Sequence, residues 1–410
     1  MTDRRDTRLS VLFIFATLTL NSMGVGLILP VMPDLIRDVT GGDIAEAAGW
    51  GGILATSYAV MQFLFAPTVG ALSDRFGRRP VLLVSLAVLA ADYVVLALAG
   101  SIWLLLAARL VGGITSATQS TAAALISDLS TPEDKARNFG LLGAAFGIGF
   151  VFGPVIGGLL AEFGTRAPFW VAAGLASVNL IFGASVLKET VTDEIRRPFD
   201  LRRSNPFSVF AKLREMPSLL PLLTLFFLYE FAFLVFPSTW AYFTQARFGW
   251  DTATVGLSLA TFGIAMAAVQ GGLIGIVLRR LGETRTIVWG FLFNTLTFAL
   301  LAVVGNGTAI LLLAPLSALG AVVTPALQSR IANTVAVDSQ GEVQGLLASV
   351  RAVAMIFSPL VMTQTFRAFS GADAVANVPG AAFLLAMGLM IVALLINASL
   401  CRAAPASQSA

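Results

Sequence analysis

The chain has 410 residues, of which 57% are hydrophobic and 12% are charged, and its formal net charge is +3. A soluble globular protein carries about 25% charged residues, so this chain cannot cover its exterior with charge. The composition therefore excludes a soluble globular fold and predicts that lipid surrounds most of the molecule. The small net charge gives no indication of nucleic-acid binding.

Apolar stretches long enough to cross a bilayer, called spans 1 to 12 here, follow one another along the chain. Crossing about 30 Å of hydrocarbon takes about 20 apolar residues. We predict an all-α membrane protein with twelve transmembrane helices in two pseudo-symmetric six-helix bundles, at 1–187 and 218–410, joined by a cytoplasmic linker at 188–217. Breaks at charges, glycine and proline place the spans at 10–33, 50–72, 80–99, 103–126, 138–161, 168–187, 218–241, 253–278, 286–304, 308–332, 342–365 and 379–401.

A repeat with an offset of 205 residues relates the two halves. Gly70 corresponds to Gly275, and Pro154 corresponds to Pro359. Internal symmetry at this spacing is typical of duplicated membrane bundles in transporters. We therefore expect a pseudo-two-fold axis along the membrane normal.

Basic residues are distributed unevenly between the two sides of the predicted bundle. The segments on one side, which include both termini, hold 20 of the 26 Lys and Arg residues, and those on the other side hold four. Positive charge stays on the cytoplasmic side of a membrane. Both termini are therefore predicted to be cytoplasmic.

A charged motif joins spans 2 and 3, and we interpret it as a gating loop. Its arginines would remain at the anionic inner leaflet. Its aspartate would be stabilised near a helix N-terminus of the other half, which would make a latch between the halves. The alternative is a plain topology anchor. The motif residues are Gly70, Asp74, Arg75, Gly77, Arg78 and Arg79.

Span 5 carries a second motif, formed by Gly149, Gly153, Pro154, Gly157 and Gly158. The glycines strip side chains from one helix face and allow another helix to approach closely. The proline adds a kink. The segment follows no strand, so we reject a dinucleotide-binding loop. Generic close packing and a role specific to transport both remain open.

Two carboxylates, Asp92 and Glu230, lie within spans. Intramembrane acids are functional candidates, because burial raises the pKa of a carboxyl group toward neutrality. Arg109 lies at a similar depth to Asp92 on the next span, and Arg351 at a similar depth to Glu230. The two acids are therefore either proton-coupling groups or members of structural ion pairs.

Several kinds of active site are absent from the sequence. The chain has no histidine, so no imidazole can serve as a proton shuttle or metal ligand. The single cysteine, Cys401, excludes an intrachain disulfide. No phosphate-binding G-x-x-x-x-G-K-[ST] motif, HExxH motif or Ser-His pair is present. We expect no metal, no cofactor and no enzymatic activity.

These motifs resemble those of the major facilitator superfamily. The loop between spans 2 and 3 fits G-x-L-x-D-R-x-G-R-R, Arg109 with Gly112 and Gly113 resembles the fourth-helix arginine motif, and the span 5 glycines resemble the motif of drug:proton antiporters. The chain is most similar to bacterial tetracycline-efflux transporters, notably over residues 23–33, 73–83, 109–118 and 243–250. The resemblance implies a proton-coupled transporter of the bacterial inner membrane that works as a monomer.

The resemblance also implies a central pathway along spans 1, 4 and 7, to which span 10 adds its inner end. Polar residues there, or at positions that match the tetracycline-efflux pattern, are candidates for the substrate cavity. For any one of them, packing between helices is the alternative. The candidates are Asn21, Gln62, Thr115, Gln119, Glu230, Trp240, Gln270, Asn294 and Gln328.

Three positions depart from the tetracycline-efflux pattern. Asn21 and Asn294 stand where those transporters have aspartate, and Met266 stands where some have histidine. The loss of two carboxylates would move proton coupling to Asp92 or Glu230, change the substrate, or remove coupling.

The sequence thus predicts a secondary active transporter that exports an amphipathic, drug-like organic compound in exchange for protons. An importer or uniporter of a small metabolite is the first alternative. A sensor or scaffold without transport activity is the second.

Overall fold

The computed structural model describes residues 4–116, 118–191, 196, 205–207, 216–335, 339–371 and 374–403. These residues form helices, with no strand among them, so the predicted all-helical membrane fold is confirmed. Spans 1 to 6 correspond to the helices Arg4–Thr40, Ile44–Phe76, Arg78–Leu98, Ile102–Thr115 with Thr118–Leu129, Pro132–Ala161 and Ala167–Val186. Spans 7 to 12 correspond to Leu220–Phe233 with Val235–Phe248, Thr252–Ala268 with the first part of Ile274–Val303, the rest of Ile274–Val303, Gly307–Ser317 with Val323–Ala332, Gln340–Ala368 and Ala381–Ala403.

In the described part of the chain, ten helical stretches are long and apolar enough to cross a membrane. The difference from twelve has two causes. Span 4 is interrupted near Ser116, so its first piece is short, and spans 8 and 9 run together as one stretch, Thr252–Val303. Within that stretch Gly282 has φ 72° and ψ 171°, which is not helical, and it separates the two spans.

The same backbone conformation occurs 205 residues earlier. Gly77, between spans 2 and 3, has φ 108° and ψ 152°. Positive φ of this kind favours glycine because a side chain would clash with the backbone. The repeat read from the sequence is therefore present in the turns that join spans 2 to 3 and spans 8 to 9.

Spans 7 and 10 are broken near their middles, which the sequence reading did not anticipate. Span 7 breaks at Leu234, where Pro237 has no N–H to donate to the carbonyl of Phe233. Span 10 tightens into a 3₁₀ turn at Ala318–Val322, just before Pro325. In both places a proline removes helical hydrogen bonding at mid-span.

The structure comprises two compact units. Unit 1 contains Met1–Gly42, Leu54–Pro206 and Asp251–Ala260, and unit 2 contains Asp43–Ile53, Phe207–Trp250 and Thr261–Ala410. Each unit thus includes a short segment from the other half of the sequence. Most of the linker predicted at 188–217 lies outside the described residues, so the domain boundaries stay a prediction.

Each of these exchanged segments packs closely on a proline-containing helix of its unit. In unit 1, a Cβ on Gly256 would lie 2.2 Å from the carbonyl oxygen of Pro154. In unit 2, a Cβ on Gly52 would lie 3.0 Å from the carbonyl oxygen of Pro359. Pro154 and Pro359 are equivalent in the repeat, but the offset of 205 residues relates Gly256 to Gly51, so the two glycine contacts are similar without being equivalent.

Unit 1 depends on a close approach of span 5 to span 1. A Cβ on Gly149, Gly153 or Gly157 would lie 2.3 or 2.4 Å from a main-chain carbonyl oxygen of span 1. The three glycines recur every four residues and therefore share one helix face. In a bilayer, where lipid is as apolar as the side chains, such backbone contact supplies much of the helix association.

Unit 2 is packed instead around aromatic side chains from several spans. Phe236 lies 5.0 Å from Phe262 and 5.9 Å from Phe383, measured between ring centroids. Trp240 meets Phe383 edge-on at 6.2 Å. These rings join spans 7, 8 and 12 in geometries that aromatic pairs favour.

We predict that Gly153→Ala destabilises the protein and Gly147→Ala does not. The added methyl group at position 153 would collide with the carbonyl oxygen of Met23, whereas a Cβ at position 147 meets nothing within 4 Å. Overpacking of this kind costs about 1–3 kcal/mol. Both changes improve helix propensity alike, so Gly147→Ala is the matched control. Thermal unfolding followed by tryptophan fluorescence measures the difference, and equal melting temperatures would contradict the prediction.

Candidate functional site

The first intramembrane acid, Asp92 on span 3, is paired with Arg109 on span 4. The guanidinium Nη2 donates to Asp92 Oδ2. The Asp92 side chain is only 3% exposed, and that of Arg109 is 11% exposed. The guanidinium carbon also lies 5.5 Å from the centre of the Tyr58 ring. Gly112 leaves room for the pair, since a Cβ there would lie 3.3 Å from Asp92 Oδ2.

This ion pair is buried, but two of its polar atoms have no hydrogen bond. Asp92 Oδ1 and Arg109 Nε are buried and have no hydrogen-bond partner among the described residues. A buried ion pair repays its desolvation cost only when its remaining polar atoms are also bonded. The free acceptor oxygen therefore makes the ionised form of Asp92 less favourable than a fully bonded carboxylate would be.

The second acid, Glu230 on span 7, forms a bidentate ion pair with Arg351 on span 11. Arg351 Nε donates to Glu230 Oε2 at 3.1 Å, and Arg351 Nη2 donates to Oε1 at 3.1 Å. The hydroxyl of Thr324 also donates to Oε1, at 3.0 Å. Here the carboxylate is mostly buried, with 13% of its side chain exposed, whereas 44% of the Arg351 side chain is exposed.

The breaks in spans 7 and 10 place this second pair. Glu230 lies in the last turn of Leu220–Phe233, and Thr324 lies in the first turn of Val323–Ala332. Interrupted helices at mid-span are typical of binding sites in transporters, because the interruption frees polar groups at membrane depth. The sequence reading found Glu230 and Arg351 but missed Thr324, since it took span 10 as continuous.

Asn294 is buried in unit 2, where it ties span 9 to the 3₁₀ turn of span 10. Its Nδ2 donates to the carbonyl oxygen of Gly290 at 2.8 Å and to that of Gly320 at 3.2 Å. The hydroxyl of Tyr229 donates to the same Gly320 oxygen at 3.0 Å. A carboxylate in place of Asn294 could not donate these bonds, which explains why an amide suits this position.

Asn21 lines a small pocket in unit 1 between spans 1, 3 and 6. Thr17 and Asn179, which also line it, hydrogen-bond to each other, with an Asn179 Nδ2 to Thr17 Oγ1 distance of 3.1 Å. Tyr93 closes another part of the wall. The structure thus puts Asn21 beside a polar patch inside unit 1.

Two of the predicted cavity residues are engaged in packing. Trp240 is buried in the aromatic cluster of unit 2, so its indole does not line an open cavity. The Thr115 hydroxyl bonds to carbonyl oxygens of its own helix, those of Val111 and Gly112. The side chain of Gln119 lies outside the described residues. The roles of Trp240, Thr115 and Gln119 in substrate contact stay predictions.

The remaining cavity candidates are at least partly accessible. Gln62 on span 2 and Gln328 on span 10 are half-buried, as is Met266 on span 8. Gln270 is exposed and lies in the π-helical turn Val269–Leu273 of span 8. Their roles in substrate contact stay predictions.

The gating-loop motif is held together by Arg78. Its Nη1 pairs with Asp74 and donates to Ser73 Oγ at 3.1 Å, and its Nε donates to Asp128 at 3.3 Å. The Glu189 carboxylate accepts the Arg78 backbone N–H at 2.9 Å and caps the start of span 3. All these contacts lie within unit 1, and the latch to the other half stays a prediction.

The second half contains the same arrangement with its charges changed. Glu283 occupies the position 205 residues after Arg78, and Asn333 the position 205 residues after Asp128. Asn333 Nδ2 donates to Glu283 Oε1 at 2.8 Å, which links spans 9 and 10 as Arg78 and Asp128 link spans 3 and 4. Asp128 and Glu189 both lie outside the loop motif, so no sequence signal indicated either of them.

Comparisons with known proteins agree with this architecture. The sequence model of the Major Facilitator Superfamily matches residues 14–359. The class C tetracycline resistance protein of Escherichia coli is 42% identical over 359 residues, which is 88% of this chain and 90% of that protein. These matches confirm the resemblance that the motifs indicated.

Solved structures give the same result. The crystal structure of the human organic anion transporter MFSD10 (TETRAN) aligns with a TM-score of 0.68 at 27% identity and covers 95% of this chain and 99% of that one. A bacterial homolog of the human lysosomal transporter Spinster, inward-facing and unoccupied, aligns with a TM-score of 0.78 over 98% of both chains. At 16% identity that second match shows the fold alone.

We expect Asp74→Asn to reduce transport at least about tenfold without preventing membrane insertion. The change removes the charge that faces Arg78 but leaves all the arginines that set topology. Exposed Asp38, changed to Asn, is the matched control. Efflux from cells with equal amounts of each variant in the membrane measures the effect. If Asp74→Asn transports as well as Asp38→Asn does, the loop is only a topology anchor.

Proposed function

Since this chain belongs to the major facilitator superfamily, we propose that it is a proton-coupled exporter of an amphipathic, drug-like organic compound. The observation that carries the proposal is the buried Asp92–Arg109 pair, whose carboxylate keeps one unbonded oxygen. An acid in such a place can gain and lose a proton during a transport cycle. The class C tetracycline resistance protein, at 42% identity, supports a tetracycline-like substrate.

Proton coupling would work through the charge balance of this pair. When Asp92 is ionised, it neutralises Arg109 and holds spans 3 and 4 together. When Asp92 is protonated, Arg109 loses its counterion and can form an ion pair or hydrogen bonds with another group. A proton arriving at Asp92 would thus change which conformation the pair stabilises, and two such states are what antiport requires.

The location follows from the distribution of basic residues. We place the protein in the bacterial inner membrane with both termini in the cytoplasm, because 20 of the 26 Lys and Arg residues belong to that side. One chain contains both carboxylate–arginine pairs. We therefore propose that the monomer is the functional unit.

A uniporter or importer of a small metabolite is the second candidate, and one observation favours it. Asn21 and Asn294 replace aspartates of the tetracycline-efflux pattern, and Asn294 donates to two carbonyl oxygens. An amide so engaged cannot carry a proton. Two protonatable positions of the efflux pattern are therefore missing here.

A drug-susceptibility panel tests the proposed export. The chain is expressed in an efflux-deficient bacterium, and growth is compared with that of cells carrying the Asp92→Asn variant at equal membrane abundance. We expect a raised inhibitory concentration for at least one amphipathic compound, tetracyclines included. No protection against any compound, together with faster uptake of metabolites, would favour the importer.

Asp92→Asn is expected to retain folding and substrate binding but to uncouple transport from the pH gradient. Because the change leaves Arg109 without its counterion, at a cost of about 3–5 kcal/mol, stability is checked with the neutral double variant Asp92→Asn/Arg109→Gln. Substrate flux in proteoliposomes with and without an imposed pH gradient is the measurement.

The double variant Asp92→Asn/Glu230→Gln decides whether either acid is obligatory. We expect its flux to be independent of the pH gradient. Flux that still rises with the gradient would exclude both carboxylates as the proton carriers.

A further inference from the structure

Arg351 lies far from both ends of the span 11 helix yet remains accessible. It follows Gln340, the first residue of the span 11 helix, by 11 residues, which corresponds to about 16 Å along the axis. Even so, 44% of its side chain is exposed. The other intramembrane arginine, Arg109, is 11% exposed. The guanidinium of the second pair is therefore much more accessible than that of the first pair.

An exposed guanidinium at this depth cannot face hydrocarbon. A charged group at the bilayer centre is strongly disfavoured, and such groups face water-filled cavities or other protein groups. The surface around Arg351 is therefore reached by water. Unit 2 therefore contains a water-accessible site around Arg351.

The accessible charge at this site is positive. Glu230 is engaged by Arg351 Nε and Nη2 and by the Thr324 hydroxyl, and only 13% of its side chain is exposed. Arg351 Nη1 makes no hydrogen bond with the residues that the structure describes, and the guanidinium carbon lies 5.8 Å from the centre of the Phe226 ring. A cation could reach Glu230 only by displacing Arg351, whereas an anion can approach the outer nitrogen directly. Guanidinium–carboxylate bonds are strong and directional.

Apolar surface lies next to this charge on the same helix face. Met355, one turn after Arg351, is 40% exposed, and Ala348, one turn before it, is exposed as well. Residues three and four apart lie side by side on a helix. Methionine adapts its shape to varied apolar groups. The exposed surface of span 11 thus offers a positive charge flanked by apolar side chains.

We propose that Arg351 binds an anionic group of the transported compound, so that the substrate is an amphipathic organic anion or a zwitterion. The inference rests on the proposed transport function and names the substrate class. Glu230 holds Arg351 in place and competes with the substrate for it. Removing the Glu230 charge therefore strengthens anion binding, and removing the Arg351 charge weakens it.

The test uses three probes that share one ring system and differ in charge. They are 2-naphthoate, 2-naphthamide and 2-naphthylmethyl-trimethylammonium, and their equilibrium binding to the full chain in lipid nanodiscs is measured. The neutral variant Glu230→Gln/Arg351→Gln avoids leaving a buried charge unpaired. Arg402→Gln, an exposed arginine in the last turn of span 12, is the control for net charge.

The expected result has three parts. The double variant binds 2-naphthoate at least about tenfold more weakly than the wild type does, while its affinity for 2-naphthamide stays within about twofold. Glu230→Gln binds 2-naphthoate more tightly and the cation more weakly. Arg402→Gln behaves as the wild type. Equal loss of all three probes, or no 2-naphthoate binding to the wild type and Glu230→Gln, would overturn the proposal.

Flux of 2-naphthoate under a pH gradient, measured in parallel, separates this inference from the proposed function. Binding that depends on Arg351, with flux that ignores the gradient, would support the anion site and contradict proton coupling. Coupled flux with no dependence on Arg351 would contradict the anion site and leave the exporter intact.

Discussion

The cost of placing a charge in hydrocarbon governs this structure. Each unit contains an arginine–carboxylate pair far from the ends of its spans, Asp92 with Arg109 in unit 1 and Glu230 with Arg351 in unit 2. Neither arginine nor carboxylate could remain charged at that depth without its partner or water. The first pair is buried, and one oxygen of its carboxylate has no hydrogen bond, which suits proton exchange. The second pair exposes its positive end, which suits binding of an anion.

Helix geometry brings these groups together. The prolines of spans 7 and 10 interrupt helical hydrogen bonding next to Glu230 and Thr324. The glycines of span 5 let it lie against the backbone of span 1. Because lipid provides no hydrophobic drive for helix association, such close contacts and the polar pairs together hold the bundles. The same residues that shape the fold therefore also determine where charge can be accommodated.

The spans and the depth of each residue within them could be predicted from the sequence. The direction in which a side chain points around its helix could be predicted much less well. Residue spacing gave the spans and matched Asp92 with Arg109 and Glu230 with Arg351, because depth follows from counting residues. It could not tell that Trp240 points into the aromatic core, since that depends on which neighbour each face meets. Nor could it show that Arg351 is accessible while Arg109 is buried. The offset of 205 residues relates Glu283 to Arg78 and Asn333 to Asp128, but residue identity alone does not show that the members of each pair are in contact.

The central claim is that substrate leaves in exchange for protons, and proton counterflow tests it most directly. The purified chain is placed in liposomes that contain a pH-sensitive dye, and a gradient of a compound from the susceptibility panel is imposed with no initial pH difference. The account predicts that the internal pH shifts in the direction of protons moving against the substrate, in proportion to the substrate transported. Substrate movement at the same rate with no shift in internal pH would contradict it.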